Sequence, residues 1–313
     1  MISKNSVFAP QTKVADMLDC NNYLIDVLSR LGIRLGFGES TIEEASIRSG
    51  LDPATVCLIC NVYTFDDYAP DAETLSKGRI TDVVKYIRNS HRNYLTRELA
   101  WLQDALCQLI LSFSEKQQKV IWRFFNEYKA ELEKHFAYEE DKVLPYIQDL
   151  LFGRDTHGFT ISEFAQNHSN IEEKLSDLKN LVMKTLPDSG DPALREHILR
   201  FLFYLQNDLA RHTFVEDRIL TPMAWYIEHP QAIRSSEKKE APVREELSDR
   251  EKEILVSVAK GMLNKEIADQ YNISIHTVIS HRKNITRKTG IKTVAGLTVY
   301  ALLNDLIDIN TVE

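Results

Sequence analysis

Four successive stretches between about residues 80 and 228 carry apolar residues at intervals of three and four, the spacing that lines one face of an α-helix. The first stripe contains Val84, Ile87, Leu95 and Leu102; the second, Phe124, Tyr128 and Leu132. The third runs Ile161, Phe164, Ile171, Leu175, and the fourth Phe201, Leu205, Leu209, Ile219, Met223. A histidine interrupts each stripe: His91, His135, His168 and His212 in turn. The pattern predicts an up-down bundle of four helices that turn these imidazoles toward one core.

The flanks of this region are also helical in pattern. Residues 10–65 form a small helical segment, within a predicted domain 1–70. From residue 247 onward four shorter helices are predicted. Ser248 with Glu251 three positions on is a capping box that opens the first, and Gly261 ends it. The second covers about 264–270; Ser274 caps a third that runs to about residue 289 before Gly290; the fourth, about 293–306, presents Val294, Leu297, Tyr300, Ala301 and Leu303. The predicted fold is therefore all-α, with a bundle over 80–228, a polar two-proline linker over 229–246 and a small C-terminal domain over 247–313. No phosphate-binding lysine loop and no βαβ alternation of a phosphorelay receiver is present.

At 43% hydrophobic and 27% charged, the 313-residue chain has a globular composition. No apolar run approaches the roughly 20 residues that span a bilayer, and the amino terminus lacks the apolar stretch of a signal peptide, so a cytoplasmic location without membrane association is expected. The net charge is −8, yet residues 247–296 hold nine Lys and Arg against five Asp and Glu, a local excess of +4 that leaves −12 for the remainder. Positive charge concentrates where a phosphate backbone would lie.

The polar residues inside the stripes repeat. His91 to His168, His135 to His212 and Glu139 to Glu216 are each 77 positions apart, and each half supplies a lone histidine followed 44 residues later by H-x-x-x-E. On a helix that motif places imidazole and carboxylate on one face. Four imidazoles and two carboxylates in an apolar bundle are costly to bury without cations, and metal binding removes the cost. Imidazole and carboxylate without thiolate suit iron better than structural zinc, and manganese also fits. His157 reads as a turn residue, His197 stands about 22 Å along the helix from His212 at 1.5 Å per residue, and His229 precedes Pro230 at the bundle's end.

The strings "SHRNYL", "HFAYEEDKVLPYI", "NHSNIEEKL" and "RHTFVEDRILTPM" resemble hemerythrin-type di-iron bundles, and within them the repair-of-iron-centres group. The resemblance implies terminal ligands His91, His135, His168 and His212, with Glu139 and Glu216 bridging two non-haem irons that also share an oxo or hydroxo bridge. Oxygen-carrying hemerythrins have a further histidine four positions after the third; Glu172 stands there, which favours the four-histidine pattern. The segment "VLSRLGIRLGFGESTIEEASIRSGLDPATVCLIC" is similar to the small N-terminal domain of the repair group, but the turn from Arg34 to Glu39 lacks that group's cysteine pair. Cys57 and Cys60 form a C-x-x-C without a partner pair at zinc-finger spacing and read as buried thiols.

The C-terminal stretch, with Leu247, Arg250, Glu251, Glu253, Gly261, Lys265, Glu266, Ile267, Ala268, Ser274, Thr277, Val278, His281 and Lys288, resembles the LuxR/FixJ-type helix-turn-helix domain. By position, the resemblance implies that Ile279, Ser280 and Lys283 face base edges of double-stranded DNA. Lys265, Thr277, His281 and Arg287 would meet phosphates, and the fourth helix would mediate a homodimer. Together these resemblances imply a non-enzymatic transcription regulator that senses O2, NO or peroxide. One rival reading is an iron-repair or NO-reducing protein that also binds DNA; another is a structural dimerisation bundle with a constitutive metal.

Overall fold

Two 24-residue helices dominate the first part of the chain, and local chemistry at their N-termini explains where each begins. Ser114 and Gln117 form a reciprocal capping box at one, while Asp191 accepts from the backbone N–H groups of Ala193 and Leu194 at the other, with Pro192 in its first turn. The computed structural model describes residues 7–230, apart from 157, 167–170 and 188–189, and residues 247–307, apart from 263, 272, 274, 290–293 and 305. They fall into two compact units, Met1–Ser236 and Glu237–Glu313. Every regular element among the described residues is helical, beside one isolated bridge between Lys13 and Thr41.

The first unit opens with five short helices, α1 (Val14–Cys20), α2 (Leu24–Leu31), α3 (Ile42–Arg48), α4 (Pro53–Thr64) and α5 (Ala72–Ser76). The bundle follows: α6 (Ile80–Asn93), α7 (Leu99–Ile110), α8 (Glu115–Tyr138), α9 (Leu144–Leu151), α10 (Ile161–Gln166), α11 (Ile171–Asn180), α12 (Pro192–Val215) and α13 (Thr221–Glu228). Helix α7 packs on α8, α8 on α11, α11 on α12 and α12 back on α7, which closes the predicted four-helix ring.

A five-residue π turn continues four of these helices: Tyr94–Glu98 after α6, Glu139–Val143 after α8, Leu181–Thr185 after α11 and Glu216–Leu220 after α12. Upstream and downstream segments pack differently. Phe125, Tyr128 and Leu132 of α8 join Leu102 and Leu106 of α7 and Leu202 and Leu205 of α12 in one apolar cluster. Beyond the π turns, Ile147 and Ala224 join Met17, Leu28, Val56 and Ile59 of the N-terminal helices in another. Helices α1–α4 thus share a core with the bundle's other end.

The second stripe differs in register from its sequence reading. Phe124 is 37% exposed, whereas Phe125 is fully buried, so the inward face runs Ile121, Phe125, Tyr128, Leu132. Two adjacent phenylalanines satisfy the pattern almost equally, and a one-residue step of about 100° decides between them. Phe201 and Leu95 are only partly buried at the margin of the same cluster.

The second unit contains α14 (Asp249–Ala259), α15 (Asn264–Tyr271), α16 (Ile275–Thr289) and α17 (Val294–Leu303). The Ser248–Glu251 capping box forms as read from the sequence, and Gly261 sits at φ 78°, a left-handed conformation suited to glycine. Ile254, Leu255, Val258, Ile267, Val278, Ile285, Leu297 and Ala301 make its core. Ser274, Gly290 and Thr293 lie outside the described residues.

Candidate metal centre and nucleic-acid-binding unit

His91 occupies the last turn of α6, and His212 the last turn of α12. Glu139 and Glu216 are each the first residue of a π turn. The four side chains are buried, and each offers a ligand atom within 4.8 Å of the others. His135, one turn before Glu139, places Nε2 2.9 Å from Glu139 Oε1. His168 lies outside the described residues, as does His157, and the side chain of Glu172 is not described. His197 is exposed near the far end of α12, and His229 stacks on Trp225, so neither joins the cluster.

The backbone explains why both carboxylates reach the cluster. Leu144 N–H donates to the Glu139 carbonyl and Thr221 N–H to that of Glu216, each five residues back rather than four. Pro145 and Pro222 follow, and neither has an N–H to donate. In a regular helix a proline ring collides with the carbonyl four residues earlier, and the widened turn relieves that collision. The shared Glu-to-Pro spacing therefore builds the same local distortion twice, with the glutamate at its start.

Polar satisfaction within the cluster is incomplete. His91 Nε2 and Glu139 Oε2 lie 2.9 Å apart without hydrogen-bonding geometry, and among the described residues both oxygens of Glu139 and both ring nitrogens of His212 have no hydrogen-bond partner. Leaving such groups buried and unpaired costs about 1–3 kcal/mol each, more for charged groups. A cation among them satisfies these lone pairs together. The donor set, imidazole nitrogen and carboxylate oxygen, matches iron, zinc or manganese rather than a thiolate-preferring ion.

A second carboxylate orients the first ligand. His91 Nδ1 and Glu140 Oε1 are 2.9 Å apart, and Arg88 Nε donates to Glu140 Oε2 at 3.2 Å. A proton on Nδ1 leaves Nε2 as the metal-facing lone pair. Burial works against protonating His91, but Glu139 and Glu140 outweigh it and raise its pKa to about 9 in the metal-free protein. The same imidazole holds the Glu140 carboxyl below its ordinary value. Glu140 was absent from the sequence-level ligand set; its place beside Glu139 was the available signal.

Beneath the ligands lies a buried ion pair. Asp208, one turn before His212 on α12, accepts from both Nη atoms of Arg30 on α2 and from Tyr94 Oη at 2.7 Å. Arg30 Nη1 also donates to Tyr94 Oη at 3.2 Å and reaches Tyr63 Oη at 3.5 Å. Charged residues inside two apolar stripes, Arg30 among Val27, Leu28 and Leu31 and Asp208 beside Leu205 and Leu209, were the missed signal. The thiols of Cys57 and Cys60 are buried on α4, and burial pushes Cys57 up to about 12 and Cys60 well above its ordinary value.

In the second unit α15 and α16 pack as a helix pair, joined by Arg282 Nη1 donating to Asn264 Oδ1 at 2.8 Å. Lys265 is exposed on α15, while Thr277 and His281, one turn apart on α16, are half-buried. Ile279, Ser280, Lys283 and Arg287 lie on α16, and their side chains are outside what the structure describes. Two cations in the sequence match are structural. Arg250 donates to the Tyr271 carbonyl at 3.0 Å and covers that residue's ring, and Lys288 Nζ pairs with Glu251 Oε2 at 2.7 Å.

Comparison with known proteins agrees with this division. The hemerythrin HHE cation-binding domain family matches residues 82–224, and the luxR family of bacterial regulatory proteins matches residues 245–301. Relatives include the response regulator protein VraR of Staphylococcus epidermidis, 35% identical over 100 residues, which are 32% of this chain and 46% of that protein. VraR of Staphylococcus aureus is 40% identical over 75 residues, 24% of this chain and 36% of that one. The chain therefore spans less than half the length of these curated relatives. No solved structure gives a significant match. No described helix is long and apolar enough to cross a membrane. The chain joins a hemerythrin HHE cation-binding domain to a regulatory domain of the luxR family.

Proposed function

We propose that this chain is a transcription regulator in which a non-haem di-iron centre detects O2, NO or peroxide and alters the DNA affinity of the luxR-type unit, acting as a homodimer. The observation that carries the reading is the buried cluster of ligand atoms from His91, Glu139, His212 and Glu216, all within 4.8 Å of one another, in the same chain as a helix-turn-helix unit. In this reading His91, His135, Glu139, His212, Glu216 and, from the sequence repeat, His168 would hold the two ions. Bound iron supplies an exchangeable valence and open coordination positions for a small ligand.

The residues themselves suggest how a change at the centre leaves it. Glu216 heads the π turn that leads into α13, and the chain then runs through residues 229–246 to the DNA-binding unit. A π turn and a regular α turn are alternative registers of one segment, so a ligand that displaces the Glu216 carboxylate biases the register of α13. On the DNA side, Lys265, Thr277, His281 and Arg287 meet phosphates and Ile279, Ser280 and Lys283 face bases.

The test is anaerobic metal counting followed by DNA-affinity measurement in reduced, oxidised and nitrosylated protein. About two metals per chain and a state-dependent affinity are expected, with coupling of roughly 1–3 kcal/mol. Equal affinity in all three states overturns the sensor reading. Steady turnover of NO under those conditions would instead identify a catalyst.

A further inference from the structure

Three large tyrosines, Tyr86, Tyr94 and Tyr128, are fully buried in the first unit, and their phenol groups have different partners. Among the described residues Tyr128 Oη has no hydrogen-bond partner, and Tyr86 Oη donates to another phenol, Tyr63, at 2.7 Å. Tyr94 alone among these three donates to a carboxylate, Asp208 Oδ2, at 2.7 Å. Its ring also meets one candidate metal ligand, His212, directly and a second, His91, through Phe136. It stands edge-on to His212 with centroids 5.6 Å apart and stacks on Phe136 at 5.7 Å, and Phe136 stacks on His91 at 4.3 Å.

Removing an electron from a phenol makes its O–H strongly acidic, so a buried tyrosine can be oxidised readily only where a base takes the proton at once. Without one, a new charge would stand in an apolar core. Asp208 is such a base. The cation left after transfer is the Arg30 guanidinium, already held over the Tyr94 ring at 4.7 Å. Among the described residues neither Tyr86 nor Tyr128 donates to a carboxylate.

We propose that Tyr94 is a one-electron donor to the metal centre, used when peroxide meets a centre with only one reduced ion; this rests on the di-iron reading above. Hydrogen peroxide needs two electrons and two protons to become two waters. One ferrous ion supplies one electron and becomes ferric. Tyr94 supplies the other through its contacts with His212 and Phe136, its proton passes to Asp208 Oδ2, and solvent supplies the protons that water formation needs. The product is a neutral tyrosyl radical in place of an uncontrolled hydroxyl radical. Tyr94 thus protects the sensor during the reaction that it reports.

The experiment uses the full chain loaded with iron, its metal content counted, and brought to the half-reduced state. Mixing with hydrogen peroxide and rapid freezing should give an electron paramagnetic resonance signal of tyrosyl type, whose hyperfine splitting collapses when ring-deuterated tyrosine is incorporated. Tyr94→Phe removes one hydroxyl and keeps the Arg30–Asp208 pair. It should bind as much iron as the native chain and lose the signal, while Tyr128→Phe keeps it. Iron-loaded native protein that consumes peroxide without a tyrosyl signal, or a signal unchanged in Tyr94→Phe, overturns the inference and leaves the metal reading standing. A chain that takes up no iron overturns both.

Discussion

Arg30 and Asp208, 178 residues apart in sequence, form an ion pair in which each side chain is only 2% exposed. One belongs to the N-terminal helices and the other to the helix that carries His212, so the pair fastens the small helical segment to the metal-bearing bundle. Removing one member of a buried pair leaves an uncompensated charge, which costs roughly 3–5 kcal/mol. Arg30→Met is expected to lose that much stability, read from urea unfolding followed by tryptophan fluorescence. Trp101, Trp122 and Trp225, the chain's three tryptophans, all lie in the first unit. Replacing both partners, Arg30→Met with Asp208→Leu, should recover more than half of the loss; an equal loss in single and double variants would show that the pair is not its source.

The second expectation concerns metal removal. Ligand binding to the native state stabilises it by about 2.7 kcal/mol at a hundredfold excess over Kd, so a chelator should lower the unfolding midpoint of metal-loaded protein. Glu139→Gln should abolish that dependence, because a carboxylate shared by His91 and His135 is gone. Undiminished metal content in Glu139→Gln would remove Glu139 from the ligand set.

Glu140 touches the centre only through His91 Nδ1. Partners of this kind set ligand orientation, and losing one typically weakens metal affinity by about 10–100-fold. Glu140→Ala should show that loss in competition with a chromophoric chelator, with stoichiometry unchanged. Arg88→Ala, one hydrogen bond further out, should show a smaller one. Equal effects of the two variants would point to general disruption of α6 instead.

A pH dependence follows from Glu251. Burial disfavours its charged form, but Lys288 and the Ser248 cap outweigh burial and hold its carboxyl below the ordinary value. A carboxyl lowered in the folded state stabilises fully above its unfolded pKa, near about 4.3, and loses that contribution as pH falls through the folded value. Amide protection factors in α14 and α16, taken relative to the intrinsic exchange rate at each pH, should therefore fall on acidification below about pH 4–5. Glu251→Gln should flatten that limb while making exchange faster at neutral pH. An acid limb of unchanged steepness would place its origin elsewhere.

Much of this arrangement was legible in residue spacing. The 77-residue repeat singles out His91, His135, Glu139, His212 and Glu216; in the structure His91, Glu139, His212 and Glu216 cluster where π turns continue α6, α8 and α12, with His135 beside Glu139. The capping box at Ser248 and the left-handed Gly261 were equally readable, since both are set by neighbours within a few residues. What spacing could not settle was phase. Phe124 and Phe125 differ by one step, and tertiary packing chose the second. Long-range polar partners such as Arg30 with Asp208 were also hidden, because periodicity reports the face of a residue and not what meets it. His168 remains a reading of the repeat alone.

The π turns at Glu139 and Glu216 place one extra residue in each helical ladder. Deleting any single residue from either turn would remove the width that the following proline requires and swing everything downstream by about 100°. Ile147 or Ala224 would then leave the apolar cluster shared with α1–α4. The two carboxylates therefore stand where the chain's phase is counted, and a one-residue deletion there should be far more damaging than the same deletion within the exposed residues 152–155.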